Sequence, residues 1–218
     1  VSHELRTPLH ILSGYSEILQ ANLASPENVQ TFSEKIYQES QRMIQLVEDI
    51  LQLTQLDEGG AIGKEELNLN KLVEQVLSSL QEKADQRNIT LHLDGENLVY
   101  SGNPALLQSI VYNLCDNAIK YNVDNGQVKV DLYQTAEAIF LEVSDTGLGI
   151  SQPDQERIFE RFYRADKSRS KRVGGTGLGL SIVKHALQVH GATIHVQSQL
   201  GKGTVMTVKF PKYIKKKV

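Results

Sequence analysis

The sequence lacks the features that mark secreted, membrane-spanning and nucleic-acid-binding proteins. Its 218 residues contain one cysteine, Cys115, so no intramolecular disulfide can form, which is typical of a reducing compartment. No apolar run approaches the roughly 20 residues that cross a bilayer, and no signal peptide is visible. A formal net charge of −3 gives no support for a nucleic-acid binder, which would more often be strongly basic. With 40% apolar and 22% charged residues, we expect one large globular domain or two small ones.

The two ends of the chain lead to two further expectations. The first residue is Val1 rather than methionine, and we interpret the chain as a fragment of a longer protein. A basic cluster lies at the other end, at Lys212 and residues 215–217. We expect a solvated tail over residues 213–218, with contact to lipid headgroups as the alternative.

Residues 1–57 are predicted to form two antiparallel helices joined by a short turn. Apolar residues recur at helical spacing, at Leu5, Leu9, Leu12 and Leu19 and then at Val29, Phe32, Ile36, Met43, Leu46, Ile50 and Leu53. Between the two stripes, Ser25 is a suitable N-cap and Pro26 suits the first helical position. Two helices cannot bury one wide apolar face by themselves, so the pattern predicts a homodimer in which two hairpins form a four-helix bundle.

The sequence pattern changes after residue 57. Residues 58–64 are rich in glycine and predict a linker. Beyond the linker, the predicted helices are 69–85, 104–121 and 178–190, and the predicted strands are 89–93, 128–133, 139–143, 193–196 and 204–210. Residues 65–212 are therefore predicted to form an α/β sandwich with one mixed sheet and helices on one face. The whole chain is accordingly of the α+β, multidomain class.

The first of four polar motifs is Ser-His-Glu-Leu-Arg-Thr-Pro-Leu, over residues 2–9. At ~100° per residue, His3 lies opposite the leucine stripe of its helix, where another domain can reach it. A neutral imidazole is a good nucleophile near pH 7, and Glu4 can accept the other ring N–H and fix the tautomer. Thr7 lies one turn beyond His3 on the same face. A lone exposed histidine is usually a solvated surface residue, but the full octapeptide is more specific.

The second motif is Asn-Leu-Cys-Asp-Asn-Ala-Ile-Lys-Tyr, over residues 113–121 of a predicted helix. Asn113, Asn117 and Lys120 lie roughly a quarter turn from the apolar face of that helix. Asparagine oxygens can complete the shell of a Mg²⁺ that takes its other ligands from phosphate and water. Lys120 adds a point charge for phosphate oxygens. Alone, this stretch is also compatible with an ordinary polar helix flank.

The third and fourth motifs are glycine-rich turns. Asp145 to Ile150 follows a predicted strand, and the Asp145 carboxylate can accept from an exocyclic amine such as adenine N6. Residues 174–180 open a predicted helix, where stacked backbone N–H groups form an anion site for a polyphosphate. The spacing differs from a dinucleotide-binding fingerprint, and no βαβ unit surrounds it. The cation-rich segment 159–173 between them is either a lid over a triphosphate or an exposed loop.

In this order, the four motifs resemble the H, N, G1 and G2 boxes of sensor histidine kinases, and residues 159–164 resemble their F box. The resemblance covers nearly the whole chain and implies a dimeric helical hairpin followed by an ATP-binding sandwich of the type shared with gyrase and Hsp90-like ATPases. It implies that His3 is the phosphoacceptor, Glu4 a neighbouring acid or base, and Thr7 a water-positioning residue for phosphatase activity. The nucleotide-binding residues that it implies are Asn113, Asn117, Lys120, Tyr121, Asp145, Gly147, Gly149, Tyr163, Arg164, Gly175, Thr176, Gly177, Leu178 and Gly179. Asn117 is the implied Mg²⁺ ligand, and ATP and Mg²⁺ are the implied cofactors.

The resemblance also implies a function and a set of partners. ATP would phosphorylate His3, and the phosphoryl group would pass to an aspartate of a response regulator in two-component signalling. We expect a cytoplasmic fragment of a membrane-bound sensor that acts as a homodimer, with no nucleic-acid partner. The rival enzyme is a gyrase- or Hsp90-type ATP hydrolase, which is disfavoured because Asn113 stands where those enzymes place a glutamate base. A nucleotide-binding scaffold without kinase activity is the rival from another class.

Overall fold

The structure is a computed structural model, and it describes residues 2–57, 63–165 and 175–212, with side chains from residue 5 onward. Most of the predicted linker, the cations of the predicted lid and the whole predicted basic tail therefore lie outside the described residues. Among the helices in the described ranges, none combines the length and the apolarity that a bilayer crossing requires.

The N-terminal part forms the predicted helical hairpin. Helix α1 runs over Ser2–Gln20 and helix α2 over Pro26–Asp57, so the second helix begins at the predicted proline. Near the turn, the rings of Tyr15 and Phe32 pack with their centroids 5.1 Å apart and join the two helices.

The remainder of the chain alternates between strands and helices. The elements are β1 Glu65–Asn68, α3 Leu69–Asp85, β2 Thr90–Gly95, β3 Val99–Gly102, α4 Pro104–Lys120, β4 Gln127–Gln134, β5 Ala138–Asp145, α5 Gln152–Gln155, α6 Gly179–His190, β6 Thr193–Ser198 and β7 Thr204–Pro211. Asparagine caps fix where two helices start: Asn68 accepts from the N–H of Lys71, and Asn103 from the N–H of Leu106, both at 3.0 Å.

Five strands form a mixed sheet in the order β2-β4-β5-β7-β6, as the sequence predicts for one mixed sheet. Strands β2 and β4 are parallel, and every other neighbouring pair is antiparallel. Alternate residues of β4 and β7 are buried, because α3, α4 and α6 cover one face of the sheet. A separate two-stranded sheet, β1 with β3, was not predicted.

Helix α2 packs against the α/β domain of its own chain as well as against α1. Leu46 and Leu53, two members of the predicted apolar stripe, are buried and belong to the same core as the α/β domain. Gln52 donates to the Ser109 hydroxyl of α4 at 3.0 Å. The stripe is thus divided: its C-terminal part is covered within the chain, whereas Leu9 and Val29 remain 50% and 44% exposed.

Candidate functional site

A cavity of about 600 Å³ lies where α4, the end of β5 and the start of α6 meet. Most of the residues singled out by the sequence line it, namely Asn113, Asn117, Lys120, Tyr121, Asp145, Gly149, Tyr163, Arg164, Gly175, Thr176, Gly177 and Gly179. Gly147 and Leu178 stand behind this lining, and Leu178 is fully buried. Residues that are distant in sequence therefore converge on one concave surface of the size that small ligands occupy.

Helix α4 supplies one wall of the cavity. Its apolar face, which includes Leu107, Ile110 and Leu114, is buried against the sheet and the neighbouring helices. Burial of that face fixes the rotation of the helix and turns Asn117 and Lys120, at i and i+3, toward the cavity. The wall is therefore polar, and it carries the Lys120 ammonium group on a rigid element.

Asp145, the last residue of β5, is one of the carboxylates that line the cavity. Its Oδ1 accepts from the N–H of Gly147 at 2.8 Å and from the N–H of Thr204 at 3.2 Å. Burial raises the pKa of this carboxyl to about 6, although both hydrogen bonds act in the opposite direction. Within the described residues Oδ2 takes part in no hydrogen bond, so it can accept from a ligand.

The turn after Asp145 depends on a close approach of two backbones. A Cβ on Gly147 would lie 2.4 Å from the carbonyl oxygen of Tyr121, at the C-terminus of α4. The same carbonyl accepts from the N–H of Leu148 at 3.0 Å. Glycine is required at 147 because this contact ties the end of β5 to the end of α4 and sets the width of the cavity.

The fourth motif opens α6 at the other side of the cavity. Thr176 Oγ1 accepts from the N–H of Leu178 at 3.2 Å, which orders the turn before the helix. A Cβ on Gly179 would lie 2.5 Å from Oδ1 of Asn113, so the first turn of α6 and the wall of α4 are in direct contact. The N-terminus of α6 therefore lies next to the asparagines, and its backbone N–H groups favour an anion there.

The segment before the undescribed residues packs onto the same turn. Phe162, at a left-handed φ of 64°, donates its N–H to the carbonyl of Gly177 at 2.9 Å. Tyr163 donates its hydroxyl to Asp154, and the guanidinium of Arg157 lies 4.2 Å from the Tyr163 ring centroid. Arg164 follows on the lining of the cavity and adds a cation there. The predicted lid cations at 166–174 lie outside the described residues.

Asparagine oxygens are the candidate metal ligands. No group of three or more His, Cys, Asp or Glu side chains suited to a metal ion occurs in the ranges that the structure describes. Asn113 donates its amide N–H to the carbonyl of Ser109 at 2.9 Å, which turns Oδ1 toward Gly179. Amide oxygens of Asn113 and Asn117, one turn apart, fit a Mg²⁺ that keeps phosphate and water as its other ligands.

The first motif lies at the N-terminus of α1. His3 and Glu4 fall in the first turn of the helix, and their side chains lie outside the described part of the structure. Thr7 is exposed and is not among the cavity-lining residues. Among the described residues of α1, none lines the cavity, so the first motif lies on a separate element.

Several cavity residues were not predicted from the sequence, among them polar residues of α2 and α3. Gln45 and Asp49 of α2 reach the cavity, where Thr176 donates its hydroxyl to the buried Asp49 carboxylate. Lys83 of α3 reaches it as well, bound to Asp116 of α4. Asp116 stands inside the second motif and was therefore detectable as a buried carboxylate. No sequence signal indicated that α2 would reach the cavity.

Comparisons with known proteins agree with this division of the chain. Residues 1–59 match the model of the His Kinase A (phospho-acceptor) domain. Residues 102–214 match the model of the histidine kinase-, DNA gyrase B- and HSP90-like ATPase family.

Individual relatives are histidine kinases. The sensor-like histidine kinase SenX3 of Mycolicibacterium smegmatis is 35% identical over 215 residues, which cover 98% of this chain and 56% of the relative. The chain thus spans about half the length of the curated relatives it matches. The structure of the Acinetobacter baumannii histidine kinase AdeS has a TM-score of 0.81 and 25% identity, covering 97% of this chain and 98% of that one.

A second solved structure, histidine kinase ThkA in complex with the response regulator protein TrrA, has a TM-score of 0.79 and 25% identity. The match covers 100% of this chain and 61% of the ThkA chain. Together with the match over residues 102–214, which is more than half of the 218 residues, these likenesses decide the family. The chain belongs to the sensor histidine kinases, with a phospho-acceptor hairpin followed by an ATPase-type α/β domain.

Proposed function

We propose that this chain binds ATP with Mg²⁺ in the cavity, transfers the γ-phosphoryl group to His3 and then passes it to an aspartate of a response regulator. The observation that carries the proposal is the convergence of an adenine-type acceptor, a cationic wall and a helix N-terminus on one cavity. We take residues 1–57 as the dimerisation and phosphotransfer domain, 58–64 as the linker and 65–212 as the catalytic domain, acting in the cytoplasm.

The adenine end of the cavity is assigned to Asp145. Its Oδ2 accepts from the exocyclic amine of adenine, while Oδ1 remains bound to the backbone of Gly147 and Thr204. Tyr121, which is 39% exposed at the cavity wall, flanks the base or ribose. This end of the cavity selects adenine over a base that carries a carbonyl in place of the exocyclic amine. In such a base the carbonyl oxygen would face Oδ2 of Asp145, and two acceptors would oppose each other.

The phosphate end is assigned to α4, the start of α6 and Arg164. Lys120 and Arg164 neutralise phosphate charge, and the backbone of residues 175–179 approaches the phosphates closely. Asn117, with Asn113 beside it, would hold Mg²⁺, which supplies charge neutralisation to the β- and γ-phosphates when bound. Alignment and charge neutralisation are most of what phosphoryl transfer requires.

In the transfer step, an imidazole nitrogen of His3 attacks the γ-phosphorus. The N–P bond forms as the bond to the bridging oxygen of ADP breaks, and Glu4 accepts the proton from the other ring nitrogen. Asn113 is an amide and cannot serve as a base for water, so the site favours transfer over hydrolysis. The transfer requires the hairpin and the catalytic domain to bring His3 to the γ-phosphate.

The partners follow from the surface of the hairpin. The exposed Leu9 and Val29 are left for a second copy of the chain, which supports the homodimer. The resemblance to ThkA, solved in complex with the response regulator protein TrrA, supports a response regulator as partner. We place its docking surface on the hairpin beside His3.

The proposal predicts an acid-labile, alkali-stable label on the chain after incubation with γ-labelled ATP and Mg²⁺. We expect His3→Gln to abolish the label, because the octapeptide motif assigns the nucleophile to that imidazole. His10→Gln is the matched control, since His10 is an exposed histidine of the same helix, and it should retain full labelling. Release of free phosphate that survives His3→Gln unchanged would instead establish the ATP hydrolase. Tight ATP binding without any label, in this chain and in a longer one, would establish the scaffold.

A phosphatase activity is proposed alongside the kinase because Thr7 is exposed one helical turn from His3. A hydroxyl at that position can hold the water that attacks the phosphorylated aspartate of a docked regulator. Thr7→Ala should prolong the lifetime of the phosphorylated regulator several-fold, with the rate of His3 labelling unchanged. The lifetime is measured by following labelled regulator after ATP is removed. An unchanged lifetime excludes Thr7 from the reaction.

A further inference from the structure

A buried carboxylate beside the phosphate end of the cavity is held by two lysines at once. The Lys120 ammonium group contacts Oδ2 of Asp116, a residue that precedes Lys120 by one turn of α4. The Lys83 ammonium group, from α3, lies 2.8 Å from Oδ1 of the same carboxylate. The three side chains all reach the lining of the cavity. The cluster carries one negative and two positive charges, so it faces the cavity with a net charge of +1.

Asp116 needs a cation at all times because its side chain is only 9% exposed. Lys120 and Lys83 supply that cation, each in contact with a different oxygen of the carboxylate. An ionised carboxylate without a partner in such a place is strongly unfavourable. Any movement of one lysine away from Asp116 therefore depends on the other.

Lys83 has more partners than Lys120, although its side chain is the more exposed of the two, at 49% against 29%. Its Nζ also donates to the Tyr112 hydroxyl at 3.0 Å and lies 5.4 Å from the centroid of the Tyr112 ring. It comes from a different helix, so a shift of the Lys120 side chain leaves it in place. Lys120, by contrast, is bound to Asp116 alone among the ion pairs of the described residues.

We infer that Lys83 is a positioning residue for ATP: by staying on Asp116, it allows Lys120 to leave that carboxylate and bind a phosphate oxygen. The inference rests on the proposed role of Lys120 at the phosphates. Without Lys83, Lys120 is the only cation on a buried carboxylate and is retained there. Phosphate binding then weakens although Lys120 itself is intact.

The test is a set of affinities for ATP and adenosine, measured by titration calorimetry with Mg²⁺. We expect Lys83→Gln to weaken ATP binding about tenfold and adenosine binding less than twofold, because only ATP carries the phosphates that Lys120 meets. Adding Asp116→Asn to Lys83→Gln should restore ATP affinity to within about threefold of the wild-type value, because a neutral amide does not hold Lys120 away from the phosphates. Lys71→Gln, an exposed lysine of the same helix, is the control for the change in net charge.

A double-mutant cycle with Lys120 separates positioning from direct contact. In a background that carries both Lys120→Gln and Asp116→Asn, where no buried carboxylate is left without a cation, Lys83→Gln should have no further effect on ATP affinity. A full tenfold effect in that background would overturn the inference, because Lys83 would then contact the nucleotide itself. An equal loss for adenosine, or no rescue by Asp116→Asn, would also overturn it.

The outcome is independent of whether phosphoryl transfer occurs. If the wild-type chain binds ATP but leaves His3 unlabelled, the proposed transfer fails while the affinities still decide the role of Lys83. If Lys120→Gln binds ATP as well as the wild-type chain does, the phosphate role of Lys120 fails and the inference fails with it.

Discussion

Asp145→Asn is expected to weaken ATP binding by about 100-fold or more, because the substitution replaces an acceptor by a donor at the adenine amine. The asparagine Oδ1 can still accept from the N–H groups of Gly147 and Thr204. Its amide nitrogen then occupies the place of Oδ2 and faces the amine of adenine, donor against donor. The affinity is measured by titration calorimetry, with Asp94→Asn, an exposed aspartate of β2, as the control. A variant that binds ATP as the wild type does would remove Asp145 from adenine recognition.

The same substitution is expected to stabilise the nucleotide-free protein at neutral pH. The pKa of Asp145 is about 6 in the folded chain, against an ordinary value of 3.8. At pH 7 the carboxyl is therefore ionised in the folded chain, although its burial favours the protonated form. The linkage sets an upper bound of roughly 3 kcal/mol on the gain in the free energy of unfolding. Urea unfolding of both proteins at pH 7.5 measures it. A less stable variant at that pH would contradict the burial argument.

The sign of the pH dependence provides a second check on Asp145. A group whose pKa is raised on folding favours the folded state most below its unfolded pKa, and that contribution is lost as the pH rises through about 6. The stability difference between Asp145→Asn and wild type should therefore shrink as the pH falls from 7 toward 4. Over the same range, wild-type ATP affinity should fall below about pH 6, because a protonated carboxyl is a poorer acceptor for the amine.

Most elements of the α/β domain were predictable because their residues repeat with a clear period. The predicted helix 69–85 coincides with α3, since Asn68 supplies the side chain that caps its start. Strands β1 and β3 were not predicted because each has four residues, too few to establish alternation, and they pair across more than 30 positions of the chain. Short strands of this kind depend on the tertiary fold rather than on local pattern.

The residues of the candidate site were likewise predictable only in part. Its motif residues could be singled out because they occur in the order of the family's sequence boxes, and most of them line one cavity. The link between Lys83 and Asp116 was not predictable, because the two residues are 33 positions apart and on different helices. The role of the buried Asp49 in the cavity was not predicted for a further reason. An aspartate on a helix flank is usually exposed to solvent, and only the packing of α2 on α6 brings Asp49 to Thr176.

Gly149→Ala is expected to cost about 3–5 kcal/mol of folding free energy, far more than the same substitution at Gly201, a left-handed glycine with open space around it. Gly149 has a φ of 67°, and a Cβ there would lie 2.0 Å from the carbonyl oxygen of Gln199 in the β6–β7 turn. Gly201 in that turn has a φ of 76° and no atom within 4 Å of its added Cβ. Gly201→Ala therefore carries the backbone strain alone, about 1–2 kcal/mol, and is the matched control.

The steric overlap in Gly149→Ala is also expected to displace residues of the proposed adenine site. The β6–β7 turn is held to the Asp145 loop by the hydrogen bond from the N–H of Gly201 to the carbonyl of Leu148, at 2.8 Å. Displacing the turn shifts Thr204, whose N–H binds Asp145, so ATP affinity should fall in Gly149→Ala and stay near wild type in Gly201→Ala. Urea unfolding and calorimetry of the two variants measure both effects. Equal destabilisation of the two would mean that strain alone, without the backbone overlap, requires glycine at 149.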